Sequence, residues 1–206
     1  VVPEDVLDAR DLLGRLDALR AIHTPDSRAE VEAGQRRMRY EEAFVLQLVL
    51  ARRRAEQQAL TTRGRSAITG GILDAFDARL PFTLTAGQER IGGEIADGLA
   101  RETPMHRLLQ GEVGSGKTLV ALRAMLAVVD SGGQAALLAP TEVLAQQHHR
   151  SITRMLGDLA AGGLLGGADQ GTRVALLTGS MSTAERRAAL LEIASGQAGI
   201  VIGTHA

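Results

Sequence analysis

The residues best equipped for chemistry lie in LLQGEVGSGKTLVA, Leu108 to Ala121. Within it, Gly111-Glu-Val-Gly-Ser-Gly-Lys-Thr118 satisfies the spacing G-x-x-x-x-G-K-[ST] in full. Glycines at these positions let consecutive backbone N–H groups turn inward as a cradle for phosphate oxygens, and a following helix adds the positive end of its dipole. Lys117 has the reach for β- and γ-phosphates, and the Thr118 hydroxyl is a ligand for the Mg²⁺ that accompanies them. Lysine and arginine together number 23, yet Lys117 is the single lysine. A compact ammonium kept here, in a chain that uses arginine everywhere else, points to a chemical need for it. The bland alternative is a glycine turn opening a helix.

The elements around this loop predict a parallel sheet with crossover helices. MHRLLQ reads as a strand leading into the loop and LVALRAMLAVVD as the helix after it. AALLAP, VALLTG and AGIVIGTHA read as further strands, with EVLAQQHHRSITRML and STAERRAALLEIA as the helices between them. The glycine-rich LAAGGLLGGADQG reads as a mobile surface loop.

The first 80 residues read differently, as an all-helical segment. Two short helical patterns, VLDARDLL and LDALRAI, precede the turn HTPDS, where Ser27 can cap a long helix from Arg28 to about Gln58. Its arginines, Arg36, Arg37, Arg39 and Arg52 to Arg54, read as a solvated face with acidic partners such as Glu41 and Glu42. TTRGRSAITGG reads as a flexible break, ILDAFDARL as a short helix, and Pro81 as the start of an α/β domain over 81–206.

Composition bounds the rest. Apolar residues make up 45% of 206, enough to bury a core, whereas aromatics are 2%, too few for a broad base-stacking platform. The net charge of −1 supplies no global field for nucleic acid, so any such contact must be local. There is no cysteine, no cationic leader in VVPEDVLDAR and no apolar run long enough to span a membrane, which leads to the expectation of a cytoplasmic protein.

The flanks of the loop narrow the chemistry. In FTLTAGQ, the Gln88 amide can pair with the N6/N7 edge of adenine and Phe82 can lie against the ring. The competing reading makes Phe82 and Leu84 core residues and Thr85 a helix cap. In α/β sheets ligands gather at the carboxyl ends of strands, which places Pro140 and Thr141 at the functional edge. LTGS and GTHA repeat that geometry, and helix N-termini on such a rim can hold nucleic acid phosphates without base preference.

FTLTAGQ, LLQGEVGSGKT, LLAPTEVLAQQH, LLTGS and VIGTHA, in this order and spacing, resemble the first motor domain of superfamily 2 DNA translocases of the RecG type. ALRAIHTPDS and RRMRYEEAFVLQLVLARRR resemble the segment joining the wedge domain of that family to its motor. The resemblance implies a truncated RecA-like P-loop domain behind a helical linker. It also implies ATP and Mg²⁺ as cofactors, with Gly111, Glu112, Val113, Gly114, Ser115, Gly116, Lys117 and Thr118 around the triphosphate, Lys117 as the catalytic residue, and Phe82 and Gln88 at the adenine. DNA contacts would fall at Pro140, Thr141, Gly179, Ser180, Thr204 and His205. The family couples ATP hydrolysis to movement on branched or duplex DNA, remodelling stalled forks and Holliday junctions in repair and recombination. A monomer without a membrane partner is expected.

A hydrolysing motor of this kind also needs a carboxylate at a strand end. None of the three strand tips carries one, and Asp130, which ends the apolar run LAVVD, falls inside the helix after the loop. The resemblance implies that the acidic motif and the second motor lobe lie beyond Ala206. His148 and His149 are adjacent, so they point to different helix faces and suit surface or packing roles. Two other functions fit some of these features: a non-catalytic, nucleotide-gated module that recruits a protein through the Arg-rich helix, and another P-loop enzyme such as a small kinase.

Overall fold

The computed structural model describes residues 2–162 and 170–205. They divide into two compact units, Val1–Leu60 and Thr61–Ala206.

The first unit is a helical hairpin with a short leading helix: α1 (Glu4–Ala9), α2 (Arg15–His23) and α3 (Arg28–Gln58). Ser27 accepts the Glu30 N–H and so caps α3 as its residue type predicts. At Gly34 the backbone of α3 comes close to α2, since a Cβ there would lie 2.7 Å from the Ala18 carbonyl oxygen. One turn on, Arg37 is buried against Glu41 rather than solvated, a correction to the reading of the arginine clusters as one exposed face. Arg36 and Arg52 do stay outside, paired with Asp11 and Glu56. Within the unit, Val45, Leu48 and Val49 remain exposed and Tyr40 stacks on Phe44.

The second unit is a three-stranded parallel sheet, β1 (Ala135–Leu138), β2 (Arg173–Leu177) and β3 (Ala198–Gly203), in the order β1-β3-β2. Leu138, Gly203 and Leu177 lie level across it, so all three strands end at one rim. The central strand β3 is buried on both faces, as its run of apolar residues requires. Around the sheet lie α4 (Ile72–Asp77), α5 (Ala86–Leu99), α6 (Lys117–Asp130), α7 (Glu142–Leu156) and α8 (Thr183–Ala194). Helix α6 contributes Leu119, Leu122 and Leu126 to a core shared with Ile152, Ile200 and Ile202. Each such side chain is worth about 1.5–3 kcal/mol when fully buried.

Three sequence expectations change here. Residues 105–110, expected as a strand, form none: no neighbour pairs with them among the described residues, and Leu108 stays 91% exposed. A strand needs a ladder partner, and apolar residues alone do not supply it. The stretch 61–80, expected with the helical segment, packs within the second unit, since Ile72 and Phe76 belong to its core. Its supposed flexible break is tethered, with Thr62 and Arg65 donating their N–H groups to the carbonyls of Glu102 and Leu99. The loop expected over 159–171 opens with a 3-10 turn whose Leu159 is buried, and 163–169 fall outside the described residues.

Asp130 has a structural task. Its carboxylate accepts the N–H groups of Ile72 at 2.7 Å and Leu73 at 3.3 Å, capping α4 from the far end of α6. A Cβ at Gly71 would collide with it. Asp130→Ala is expected to cost about 1–2 kcal/mol of stability, measured by urea unfolding of the chain.

Candidate functional site

The phosphate-type loop sits at the N-terminus of α6, where Gly116 is the N-cap residue. Gly114 and Gly116 adopt φ of +85° and +83°, the left-handed region that glycine enters without a Cβ penalty. This turn directs the loop back on itself. Lys117 Nζ donates to the carbonyls of Gly111 at 2.9 Å and Glu112 at 2.6 Å, so the ammonium rests across the mouth of the loop. Thr118 follows in the first turn of α6, half-buried, and Val113 stands in solvent at the loop's outer corner.

Gln88 joins this loop to α5. Its Nε2 donates to the Ser115 carbonyl at 3.1 Å, and its Oε1 accepts the Thr85 N–H at 3.0 Å while Thr85 Oγ1 accepts the Gln88 N–H. Gln88 is therefore both the third residue of a capping box and a strut against the loop. A Cβ at Gly116 would meet Gln88 Nε2, the far end of a flexible side chain, so it is the left-handed φ of +83° that calls for glycine at this position. The competing reading of FTLTAGQ holds for two of its residues, since Thr85 caps α5 and Leu84 packs on the core, but not for Phe82, which is 55% exposed rather than core.

A cleft of about 220 Å³ opens between α5 and the loop, lined by Thr85, Gln88, Ile91, Gly111, Ser115 and Lys117. A larger cleft of about 370 Å³ lies between α5 and α6 among apolar side chains such as Ile95, Ala96 and Ala124. The smaller one is lined by the Lys117 ammonium and by loop residues, the kind of groups that a phosphate needs.

Residues expected to contact DNA lie along the rim where the strands end. Pro140 and Thr141 follow β1, Thr204 and His205 follow β3, and Gly179 and Ser180 follow β2. The strand order places them in that sequence along the edge. Thr141 accepts the Leu144 N–H and caps α7, which satisfies one of the first N–H groups of that helix. The Thr204 hydroxyl is buried without a hydrogen-bond partner, and Pro140, Thr141, Gly179, Ser180 and His205 are exposed.

Sequence reasoning gave Glu142 no role. In the structure its Oε1 accepts the Ser180 N–H at 2.9 Å. Hydrogen bonding by the Ser180 side chain, and then by the backbone of Ser180 and Gly179, holds the Glu142 carboxyl below the usual carboxylate range. An acid in the first turn of a helix is favourable without any distant partner, so the sequence carried no signal for this one. His149 packs its ring on β2, with Nε2 3.1 Å from the Val174 carbonyl oxygen, in keeping with a packing role. No group of three or more His, Cys, Asp or Glu among the described residues could hold a metal ion, and no helix among them is long and apolar enough to cross a membrane.

Comparison with known proteins adds a profile of the DEAD/DEAH box helicases, which matches residues 88–206. The ATP-dependent DNA helicase RecG of Mycobacterium tuberculosis is 52% identical over 207 residues, covering 100% of this chain and 28% of the relative. RecG of Synechocystis is 38% identical over 205 residues, again covering 100% of this chain and 23% of the relative. The chain thus spans about a quarter of the length of these curated relatives. Among solved structures, one of RecG bound to a three-way DNA junction aligns with a TM-score of 0.83 and 36% identity, over 100% of this chain and 26% of the other.

Proposed function

We propose, from the premise that this chain belongs to the DEAD/DEAH box helicase family, that it is the nucleotide-binding part of a RecG-type ATP-dependent DNA helicase acting on branched or duplex DNA in the cytoplasm. The observation that carries the proposal is the loop Gly111–Thr118 at the start of α6, with two left-handed glycines and the ammonium of Lys117 folded across its mouth. The residues fit a triphosphate: Gly114 and Gly116 take the left-handed turn that such a cradle needs, and Lys117 can exchange two neutral carbonyls for charged phosphate oxygens. On this reading Thr118 would hold Mg²⁺ beside the nucleotide, and Phe82 with Gln88 would meet adenine. Bound Mg²⁺ would offset charge on the triphosphate. Pro140, Thr141, Gly179, Ser180, Thr204 and His205 form a rim for the DNA backbone, with junction forks and Holliday junctions as the substrates that the similarity to RecG suggests.

In a protein spanning the full length of the relatives, ATP turnover should rise when duplex or three-way DNA is added, and Lys117→Ala should abolish that rise. Unchanged turnover in the variant overturns the proposal.

A further inference from the structure

The bond between Glu142 and Ser180 joins residues 38 apart in sequence. More telling is where it lies in the sheet. Glu142 follows β1 and Ser180 follows β2, and these are the two outer strands, with the end of β3 between them. Two spacings of roughly 4.8 Å separate the outer strands, so the contact bridges roughly 10 Å across the rim.

On the reading that this rim holds DNA phosphates, we infer that Glu142 is a positioning residue: its carboxylate locks the Gly179–Ser180 loop to the start of α7, so that the two outer strand ends meet DNA as one preset surface. The carboxylate is an unsuitable DNA ligand in its own right, because it repels phosphate. What it can do is accept a hydrogen bond, and it accepts one from the exposed loop following β2. The other attachments at this end of the sheet are local or lie beneath the rim: Thr178 donates its N–H to Met181 Sδ, and Thr204 donates its N–H to the Leu177 carbonyl. Neither ties Ser180 to α7. Thr141 caps the same helix and fixes its first turn, so Glu142 is held on one side by a rigid element and on the other holds a loop. A loop already held loses less freedom on binding DNA than one that must be ordered by it.

The test is fluorescence anisotropy of a short labelled duplex with this chain, Glu142→Ala and Glu142→Gln, repeated across a series of salt concentrations. Glu142→Ala should weaken binding about tenfold, the size of the backbone freedom of one loop residue that must then be ordered on binding. The dependence of log K on log salt should stay near that of the parent, because neither Glu142 nor the Gly179–Ser180 loop adds a cation that neutralises phosphate. Glu142→Gln, whose Oε1 can still accept the Ser180 N–H, should recover most of the affinity, and amide exchange at Ser180 should be fast only in the alanine variant. Parent-like amide exchange in the rest of the chain separates positioning from general damage. Should Glu142→Ala fail to fold, Glu142→Asp, with a side chain too short to reach Ser180, makes the same comparison. Parent-like affinity in the alanine variant, or a glutamine variant no better than alanine, overturns the inference alone. A parent chain that binds no duplex overturns the DNA reading and the inference with it.

Discussion

Titration of Mg·ADP into this chain should give saturable binding that Lys117→Ala weakens at least about 100-fold, or about 2.7 kcal/mol, read by isothermal calorimetry. The size follows from what Nζ does in the structure. It donates to two carbonyl oxygens, Gly111 at 2.9 Å and Glu112 at 2.6 Å, and phosphate entry lets it exchange both for anionic oxygens. A hydrogen bond to a charged partner contributes about 1.5–3 kcal/mol, so losing two accounts for the effect without any change of fold. Lys117→Arg should not rescue it, since a planar fork cannot occupy a position shaped for a compact ammonium. Equal binding by parent and alanine variant overturns the assignment of the loop as the nucleotide cradle. Absence of binding in both removes every cofactor assignment from the isolated chain.

Sequence and structure agree most closely where a local rule decides the conformation. Ser27 and Thr141 cap helices where their residue types and positions predict it. Helix α7 runs over the residues whose periodicity defines it, and the three strands that alternate with helices form one parallel sheet. The glycine spacing of the loop likewise dictates a turn, and Gly114 and Gly116 make it in the left-handed region. What the sequence concealed depends on partners far away in the chain. Residues 105–110 carry an apolar pattern but have no ladder beside them. Asp130 reads as the end of an apolar run, whereas its carboxylate caps a helix that begins 58 residues earlier. Gln88 reads in the sequence as a partner for adenine, whereas in the structure its amide is shared between a capping box and the Ser115 carbonyl, contacts set by how α5 meets the loop before α6. Glu142 is the strongest case: one acid among 24 acidic residues, distinguished only when the sheet brings Ser180 to it.

The other large effect is expected far from the loop, at Glu41. Arg37 is 1% exposed, and its Nη2 lies 2.7 Å from Glu41 Oε2, while its Nε and Nη1 have no hydrogen-bond partner. The short contact is charge pairing without the alignment of a hydrogen bond, because Glu41 Oε2 itself finds no aligned donor. Arg15 reaches the same carboxylate at 3.6 Å from a side chain 60% exposed, too solvated to replace it. Removing Glu41 therefore leaves a buried guanidinium without its counter-charge, a defect that costs about 3–5 kcal/mol. A helical unit of 60 residues has little stability to spare. Glu41→Ala should thus lose the hairpin's helicity at a much lower temperature than the parent, followed by far-UV circular dichroism. The paired change Arg37→Met with Glu41→Leu should be neutral or stabilising, since it removes both charges and fills the same space. If the single variant unfolds with the parent, Glu41 is not what compensates the buried charge. If the double variant falls as far as the single one, the close packing that Gly34 permits, rather than the charge, sets the stability of the hairpin.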